Sequence, residues 1–458
     1  MIKRFSIIFT FVLIFLVVGG LGCKGLSSEQ EASIRPVTLN YWTVFNDISE
    51  LRRMIEEYKS VRPYVTVNLR QVRVEEFEKL FVNALAEDVG PDVVSVHSRW
   101  IREHENKLSA MPPSIQVANV VVEGQYRKET VVTPQRITMP TPAFLRSNYV
   151  QTVADDVVIG GQIYGLPLAL DTLAIYYNKD LLDKAGIPQP PTTWAQFLDA
   201  SQAATKFDAN GDIIQSGVAL GGANNIQNAS DILALLMLQN GIGIEEKGVV
   251  TFAKGLERPQ ANHPALEALR FYTDFAKPTK EAYSWSEDMG NALDEFVRGR
   301  SVFYFGFAYD HPRIKALAPQ MNLDVIPVPQ LNPVSPSNVA NYWIESVVKK
   351  SPNQNEAWDF VRFLTSEQNV KQYVDTTKRP SPMRVHIAAQ SEDLVLAPFV
   401  SNILTAENWY RGRDVGAAET AFQNLITSYL QPYGEKENPL GRDATLIRNT
   451  ARIIQQTY

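Results

Sequence analysis

The chain has 458 residues, is 45% hydrophobic and carries a formal net charge of −6 at pH 7. This length is enough for two or three domains, and the 7 Trp, 18 Tyr and 21 Phe can fill sizeable cores, which excludes a disordered or fibrous protein. The net negative charge argues against a nucleic-acid partner. The single cysteine, Cys23, excludes an intramolecular disulfide, and the five histidines form no metal-binding motif, so neither a metal nor a cofactor is expected.

The N-terminus has the pattern of an export signal. Lys3 and Arg4 precede a largely apolar run over residues 5–18. A permanent membrane span needs roughly 20 apolar residues, so this shorter run is typical of a signal peptide instead. The alternative is an N-terminal anchor that is not cleaved, and either outcome places the rest of the chain outside the cytoplasm.

The apolar run ends on Cys23 in a segment that resembles the lipobox of bacterial lipoproteins, although Gly20 stands where a leucine is usual. We therefore predict a lipoprotein signal peptide over residues 1–22 and lipidation of Cys23. Residues 23–35 are polar and rich in Ser and Glu, which is typical of a flexible tether. The protein is then expected at the outer face of the cell membrane, or in the periplasm, held by its N-terminal lipid.

The exported part begins with alternating strand and helix patterns. Strands are predicted at 37–44, 65–67 and 93–96, with helices over 51–58 and 77–85 between them. This order is typical of a parallel sheet with helices on both faces, in which ligands bind at the carboxyl ends of the strands. The candidates at those ends are Trp42, Asn46, Asp47, His97, Arg99 and Trp100.

The remaining chain indicates two α/β lobes that are joined by more than one crossing. Residues 111–142 carry five prolines without a regular period and are predicted to be a surface excursion, and 326–337 is a proline-rich linker. The predicted N-terminal lobe comprises 36–165 and 301–335, and the predicted C-terminal lobe comprises 166–300 and 336–458.

Four segments occur in a familiar order: PDVVSVHSRW (91–100), then 166–197, then EFVRGRSVFYFG (295–306), then NEAWDFVRFLTSEQNV (355–370). Together they resemble the family 1 extracellular solute-binding proteins of bacterial ABC importers, the relatives of maltose-binding protein. The resemblance implies a Venus-flytrap architecture, in which two α/β lobes, each built on a mainly parallel sheet, close on a solute by hinge motion.

The resemblance also implies a function. The protein is expected to be a monomer that captures a carbohydrate, an oligosaccharide, and delivers it to the transmembrane permease subunits of an ABC importer. Two alternatives stay open from the sequence: a lipid-anchored carbohydrate-active enzyme, because paired carboxylates are plentiful, and a sensor lipoprotein that uses the same clamp. Motifs for a nucleophilic serine, a phosphate loop or a dinucleotide fold are absent from the sequence.

Sugar rings are bound by aromatic faces and by fixed polar groups. Asp171 lies in an apolar run and matches a family carboxylate that contacts sugar hydroxyls; a structural ion pair is the other interpretation. Trp409 resembles the tryptophan that the family lays over its ligand, and Trp100 is either a sugar contact or a core anchor. With these, the predicted ligand-binding residues are Trp42, Asn46, Asp47, His97, Arg99, Trp100, Asp171, Asn225, Phe307, Tyr309, Trp343 and Trp409.

Overall fold

A computed structural model of the chain describes residues 27–123 and 129–458. The predicted signal peptide and Cys23 lie outside the described residues. Within the described ranges, no helix has the length and apolar character that are needed to cross a membrane.

The strands are mostly short and are distributed over several sheets. In chain order, the strands of the described residues are β1 (Val37–Thr43), β2 (Val65–Gln71), β3 (Val93–His97), β4 (Ser114–Glu123), β5 (Glu129–Thr138), β6 (Val158–Ile159), β7 (Gln162–Ile163), β8 (Leu166–Pro167), β9 (Asp171–Thr172), β10 (Ala174–Asn178), β11 (Lys206–Phe207), β12 (Ile213–Val218), β13 (Glu245–Glu246), β14 (Val249–Val250), β15 (Ser301–Gly306), β16 (Leu323–Pro327), β17 (Asn338–Asn341), β18 (Trp343–Val347) and β19 (Ala406–Glu407).

Helices flank these sheets. Those of the described residues are Ser28–Ser33, Ile48–Val61, Val74–Ala86, Ile101–His104, Pro142–Asn148, Gln151–Val157, Lys179–Lys184, Trp194–Ala204, Ala229–Gln239, Pro264–Asp274, Ala292–Val297, Asp310–Leu317, Gln354–Leu364, Glu367–Thr377, Arg384–Gln390, Ala397–Val400, Val415–Leu430 and Pro439–Gln455, with short 3-10 turns at Ser98–Trp100, Glu105–Lys107 and Ile403–Thr405.

The first large sheet has five strands in the order β2-β1-β3-β18-β8. As predicted, β1, β2 and β3 are strands with helices between them, and β1 pairs in parallel with both β2 and β3. The helix Ile48–Val61 shows why the spacing of apolar residues predicted a helix here. Asp47 caps its first turn, and Leu51, Met54, Ile55 and Tyr58 bury one face of it.

The second large sheet also has five strands, in the order β11-β12-β15-β10-β16. Only β12 and β15 pair in parallel here, and β10 runs antiparallel to both β15 and β16. In the first sheet, β18 is likewise antiparallel to β3 and β8. The two-lobed α/β fold is confirmed, but both sheets are mixed rather than mainly parallel, because strands that return from elsewhere in the chain enter them in the opposite direction.

Each large sheet belongs to its own hydrophobic core. The chain passes from one core to the other between Leu170 and Leu173, between Val339 and Ala340, and again after Ala406. The strands at these three places, β9, β17 and β19, pair with one another as a three-stranded sheet. We call the residues around the first-sheet core the first lobe and those around the second-sheet core the second lobe, and this small sheet joins them.

Sheet membership corrects the predicted division of the chain. The segment 301–335 was expected in the N-terminal lobe, yet β15 pairs with β10 and β12 in the second sheet. Conversely, β18 lies in the first sheet, so residues 340–406 return to the first lobe instead of staying with the second. Hydrophobic patterning finds the strands, but it does not say which sheet a distant strand will join.

Two further expectations differ from the structure. The predicted excursion 111–142 contains the long antiparallel hairpin of β4 and β5, which has Pro134 opposite Ala118 in its register and the other prolines of the segment just outside its two strands. The predicted tether 23–35 contains the helix Ser28–Ser33, because Ser27 and Gln30 form a capping box at its start. Gln30 also donates a hydrogen bond to the carbonyl of Val132, which holds this helix against the hairpin.

Candidate functional site

A cleft of about 910 Å³ lies between the two lobes. Its walls come from segments that follow strands of the first lobe and from turns and helix ends of the second. Its lining residues include Phe45, Asn46, Asp47, Glu75, Glu78, His97, Arg99, Trp100, Glu103, Asn228, Asp231, Tyr309, Asp310, Arg313, Asn341, Trp343, Tyr373, Arg379, Asp414 and Glu419. We call this space the main cleft.

Aromatic rings form one wall of the main cleft. Phe45 is 43% exposed, and its ring centroid lies 5.5 Å from Trp343 in the first lobe and 5.5 Å from Tyr309 in the second. Trp100 meets Trp343 edge-on at 5.3 Å and stacks on the buried ring of Phe77. These rings are held by packing, so they present fixed apolar faces to whatever enters the cleft.

Arg99 connects the two lobes. It is 3% exposed and forms ion pairs with Asp231 and, at 3.5 Å, with Glu419, both on helices of the second lobe. Its guanidinium also lies 4.8 Å from the ring centroid of Trp409. Arg99, one of the predicted ligand-binding residues, therefore lines the cleft, and carboxylates of the opposite lobe balance its charge.

Trp409 does not line the main cleft, contrary to the prediction. It is 2% exposed, and its indole Nε1 donates a 2.8 Å hydrogen bond to Asp231. Its ring packs on Phe422 in the second core. Trp409 thus supports the Arg99–Asp231 pair from behind.

Asp171 was predicted to contact the sugar, but in the structure its carboxylate is bonded to another side chain of the protein. It is fully buried, and its Oδ2 accepts a 2.8 Å hydrogen bond from Arg379. Burial raises the pKa of the Asp171 carboxyl, while the Arg379 guanidinium opposes that shift. Arg379 lines the cleft and Asp171 does not, so the carboxylate orients the arginine from below.

Asn46 lies at the cleft with its amide committed to a buried network. Its Nδ2 donates to Glu345 Oε1 at 2.6 Å, and Glu345 Oε2 accepts from Tyr41 at 2.6 Å and from Ser95 at 2.7 Å. Glu345 is fully buried, and burial raises the pKa of its carboxyl. This network ties β1, β3 and β18 of the first sheet to one another, and Asn46 is part of it.

His97 and Asp47 line the cleft, and their contact with a solute stays a prediction. Burial lowers the pKa of His97 to about 4, so its ring is neutral at pH 7. Its Nε2 lies 3.1 Å from Asn341 Oδ1 and its Nδ1 accepts from the Arg99 backbone N–H, which together place the proton on Nε2. Asp47 uses its carboxylate to cap the helix Ile48–Val61.

Three of the predicted ligand-binding residues do not line the main cleft: Trp42, Asn225 and Phe307. Trp42 lies on β1 and packs its ring under the guanidinium of Arg70, at 4.7 Å. Asn225 bonds the backbone carbonyls of a neighbouring loop and accepts from Trp285. Phe307 is fully buried beside Tyr309, which does line the cleft.

Sequence reasoning missed several lining residues. Phe45 directly follows the first strand, so its position was a usable signal. Arg379 comes from a loop that no periodicity marks, and Asp231 lies on a helix that is apolar on nearly every side. The carboxylates are the largest missed group: Glu75, Glu78, Glu103, Asp231, Asp310, Asp414 and Glu419.

These carboxylates make the main cleft acidic, because its lining arginines are fewer and two of them are already paired. Burial and the neighbouring Glu78 carboxyl raise the pKa of Glu103 to about 7. Burial also raises the pKa of Asp310 to about 7. Such a cleft favours neutral or cationic groups and disfavours anions.

Comparison with known proteins finds similarity to bacterial binding proteins. A family model described as bacterial extracellular solute-binding protein matches residues 77–395. A Brucella abortus protein named as a binding protein is 24% identical over 365 residues, covering 76% of each chain. The maltodextrin-binding protein MdxE of Bacillus subtilis is 24% identical over 236 residues, 49% of this chain and 51% of that one.

Solved structures share the fold. The GacH receptor of Streptomyces glaucescens has a TM-score of 0.67 and 18% identity, covering 92% of this chain and 99% of that one. The sugar-binding protein MalE of Xanthomonas citri has a TM-score of 0.67 and 16% identity, with 92% and 98% covered. With two α/β lobes around a cleft and a family match over most of its length, this chain belongs to the bacterial extracellular solute-binding proteins.

Proposed function

We propose that the chain captures a neutral oligosaccharide in the main cleft and delivers it to the permease of an ABC importer. The observation that carries this proposal is the aromatic wall of Phe45, Trp343, Tyr309 and Trp100. Flat aromatic faces match the C–H faces of sugar rings, and the polar groups around them match hydroxyls. A cleft of about 910 Å³ is large enough for several sugar rings.

The clamp mechanism follows from the way the lobes are joined. Phe45 and Trp343 belong to the first lobe and Tyr309 to the second, so a solute that lies against this aromatic wall gains contacts from both lobes only when they are close. Binding therefore stabilises the closed orientation relative to the open one. The three-stranded sheet of β9, β17 and β19 is the place where the connecting segments bend together.

Calorimetry against a panel of compounds tests this assignment. The panel contains neutral oligosaccharides of glucose, galactose and mannose, with free amino acids and sugar phosphates as contrasting classes. We expect saturable one-to-one binding of at least one neutral oligosaccharide. Binding of an amino acid or a sugar phosphate alone would contradict the proposal.

We further propose that the protein binds its solute without changing it. The relatives are named as binding proteins, and the carboxylates Asp171 and Glu345 are committed to buried structural bonds. Incubation with the bound oligosaccharide, followed by mass spectrometry, should recover the sugar intact. Steady product formation would move the chain to the carbohydrate-active enzymes.

The membrane attachment is a separate proposal. We propose that Cys23 carries the lipid that holds a monomeric protein at the outer face of the membrane, because the export signal ends at that cysteine. Cys23→Ser should move the protein from the membrane fraction to the soluble or uncleaved pool. Cleaved, membrane-bound protein that is unchanged by the substitution would refute lipidation.

A further inference from the structure

A second cleft, of about 700 Å³, lies between the same two lobes. It shares no lining residue with the main cleft, but the two are lined by adjacent residues of the same segments. Arg102 lines the second cleft and Glu103 the main one; Arg413 lines the second cleft and Asp414 the main one. The two cavities are thus neighbours that share these two stretches of chain.

Basic side chains dominate the second cleft, and they come from both lobes. Arg102 and Arg146 lie on helices of the first lobe, Lys247 lies in the turn between β13 and β14 of the second, and Arg413 precedes the helix Val415–Leu430. Arg146 and Lys247 are exposed, and the Arg413 side chain is 65% exposed. Four cations therefore surround one interlobe space and are accessible to a ligand.

The floor of the second cleft is already an interlobe ion pair. Arg411 of the second lobe binds Asp156 of the first lobe at 2.7 Å and Glu245 of its own lobe at 3.3 Å. Asp156 is fully buried and also accepts a 2.5 Å hydrogen bond from Tyr342. This floor is neutralised, so its arginine is not the source of the excess positive charge.

The four surrounding cations are largely unneutralised. Within the ranges 27–123 and 129–458, Arg102, Arg146 and Lys247 have no ion pair, and Arg413 has only Glu105 at 4.0 Å. Asp155 is the acidic lining residue that stays exposed. Like charges that converge in this way repel one another, and a multivalent anion between them relieves that repulsion.

We propose that the second cleft binds a phosphate-bearing molecule that bridges the two lobes. Two guanidinium groups from one lobe and an ammonium and a guanidinium from the other can hydrogen-bond to separate phosphate oxygens. An anion that contacts both lobes stabilises one orientation of them, so it is linked to closure of the main cleft. The site is distinct from the solute site and from its proposed sugar.

The first test is calorimetry with inorganic pyrophosphate on the full chain, purified in a sugar-free detergent, at constant ionic strength set with NaCl. We expect saturable one-to-one binding. Arg146→Gln in the first lobe and Lys247→Gln in the second should each weaken it roughly tenfold, the scale of one charge-assisted hydrogen bond. Both side chains are exposed, so the fold should tolerate their replacement.

Matched controls are Arg52→Gln in the first lobe and Lys206→Gln in the second, which are exposed and lie outside both clefts. Neither control should change pyrophosphate binding. The proposal is overturned if the cleft variants bind pyrophosphate as the controls do, or if neither pyrophosphate nor the lipid probe dihexanoyl-phosphatidylglycerol saturates at constant ionic strength. Sensitivity to the variants of one lobe only would overturn the bridging claim.

A second arm distinguishes a free phosphate from a lipid headgroup. Dihexanoyl-phosphatidylglycerol is soluble as single molecules and presents one phosphodiester, a singly charged phosphate, with short acyl chains. Binding of pyrophosphate alone identifies a free polyphosphate site, and tighter binding of the lipid identifies a headgroup site. Failure of both probes overturns the proposal while leaving the sugar-binding proposal untouched, because the main cleft has no part in this measurement.

Discussion

The main cleft and the second cleft differ in charge although the same two stretches of chain line both. In each stretch, one residue carries a carboxylate into the main cleft and its neighbour carries a guanidinium into the second: Glu103 beside Arg102, and Asp414 beside Arg413. Neighbouring side chains on a turn or short helix point in different directions, so a change of one residue is enough to separate opposite charges. The net charge of the chain, −6, hides this separation.

The two clefts also differ in how their charged groups are supported. Behind the main cleft, Asp171 and Glu345 are fully buried and hold lining residues through short hydrogen bonds. Around the second cleft, Arg146 and Lys247 are exposed and unsupported. Substitutions of the buried groups behind the main cleft are therefore expected to lower the stability of the protein. Substitutions of the exposed cations around the second cleft are expected to change only the binding of its ligand.

The largest expected effect is on the buried pair beneath the main cleft. Asp171→Asn leaves Arg379 buried without its counter-charge, which should lower the free energy of unfolding by about 3–5 kcal/mol. The matched control is Asp375→Asn, which removes a carboxylate from the exposed Lys371 pair and should cost less than about 1 kcal/mol. Chemical denaturation measures both, and equal effects would contradict the structural role of Asp171.

The next effect is on solute affinity. Phe45→Ala should weaken binding of the oligosaccharide by about 1–3 kcal/mol, because a fixed ring of the aromatic wall is lost. Phe207→Ala is the matched control: Phe207 is 46% exposed, stacks on Tyr283 and lies outside the main cleft. Calorimetry on both variants separates a cleft ring from an equally exposed ring elsewhere, and equal affinities would remove Phe45 from the site.

Arg99 should influence the lobe orientation itself. Arg99→Met removes the ion pairs with Asp231 and Glu419, so these two carboxylates of the second lobe lose the cation that the first lobe supplies. Without solute, we expect the radius of gyration from small-angle X-ray scattering to increase, while Arg53→Met, in a pair within one helix, should leave it unchanged. An unchanged radius in Arg99→Met would show that these pairs do not hold the lobes together.

The smallest expected effect is a pH dependence that arises from Glu103 in the main cleft. Because the folded pKa of Glu103 is raised to about 7, the folded state binds more protons than the unfolded state between about pH 4.5 and 7. This contribution to stability is complete below that window and is lost as the pH rises through it. Glu103→Gln should flatten this part of a melting-temperature profile, whereas Arg102→Gln next to it should not.

The sequence predicted the elements better than their assembly. Periodicity found β1, β2, β3 and the helices between them, because buried faces repeat at regular spacing. It could not assign β15 and β18 to their sheets, since pairing between distant strands leaves no local mark. The hairpin of β4 and β5 was missed because Pro134 within it and the prolines on either side of it suggested irregular chain.

For the candidate site, too, the sequence predicted local positions better than tertiary contacts. His97, Trp100 and Trp343 were found because they flank predicted strands, and all three line the cleft. Asp171 and Trp409 were expected to contact the solute, but each is occupied by a partner that only the tertiary structure reveals, Arg379 and Asp231 respectively. A charged or aromatic residue in an apolar run thus marks an interaction, without saying whether the other partner is a ligand or the protein.

The central claim is that a solute in the main cleft draws the two lobes together. Small-angle X-ray scattering on the full chain, with and without a saturating amount of the tightest-binding oligosaccharide of the panel, tests it most directly. We predict a smaller radius of gyration with the sugar, and a smaller decrease for Phe45→Ala at the same sugar concentration, because that variant binds the sugar more weakly. An unchanged radius at proven saturation would contradict the account, because the sugar would then bind without joining the lobes.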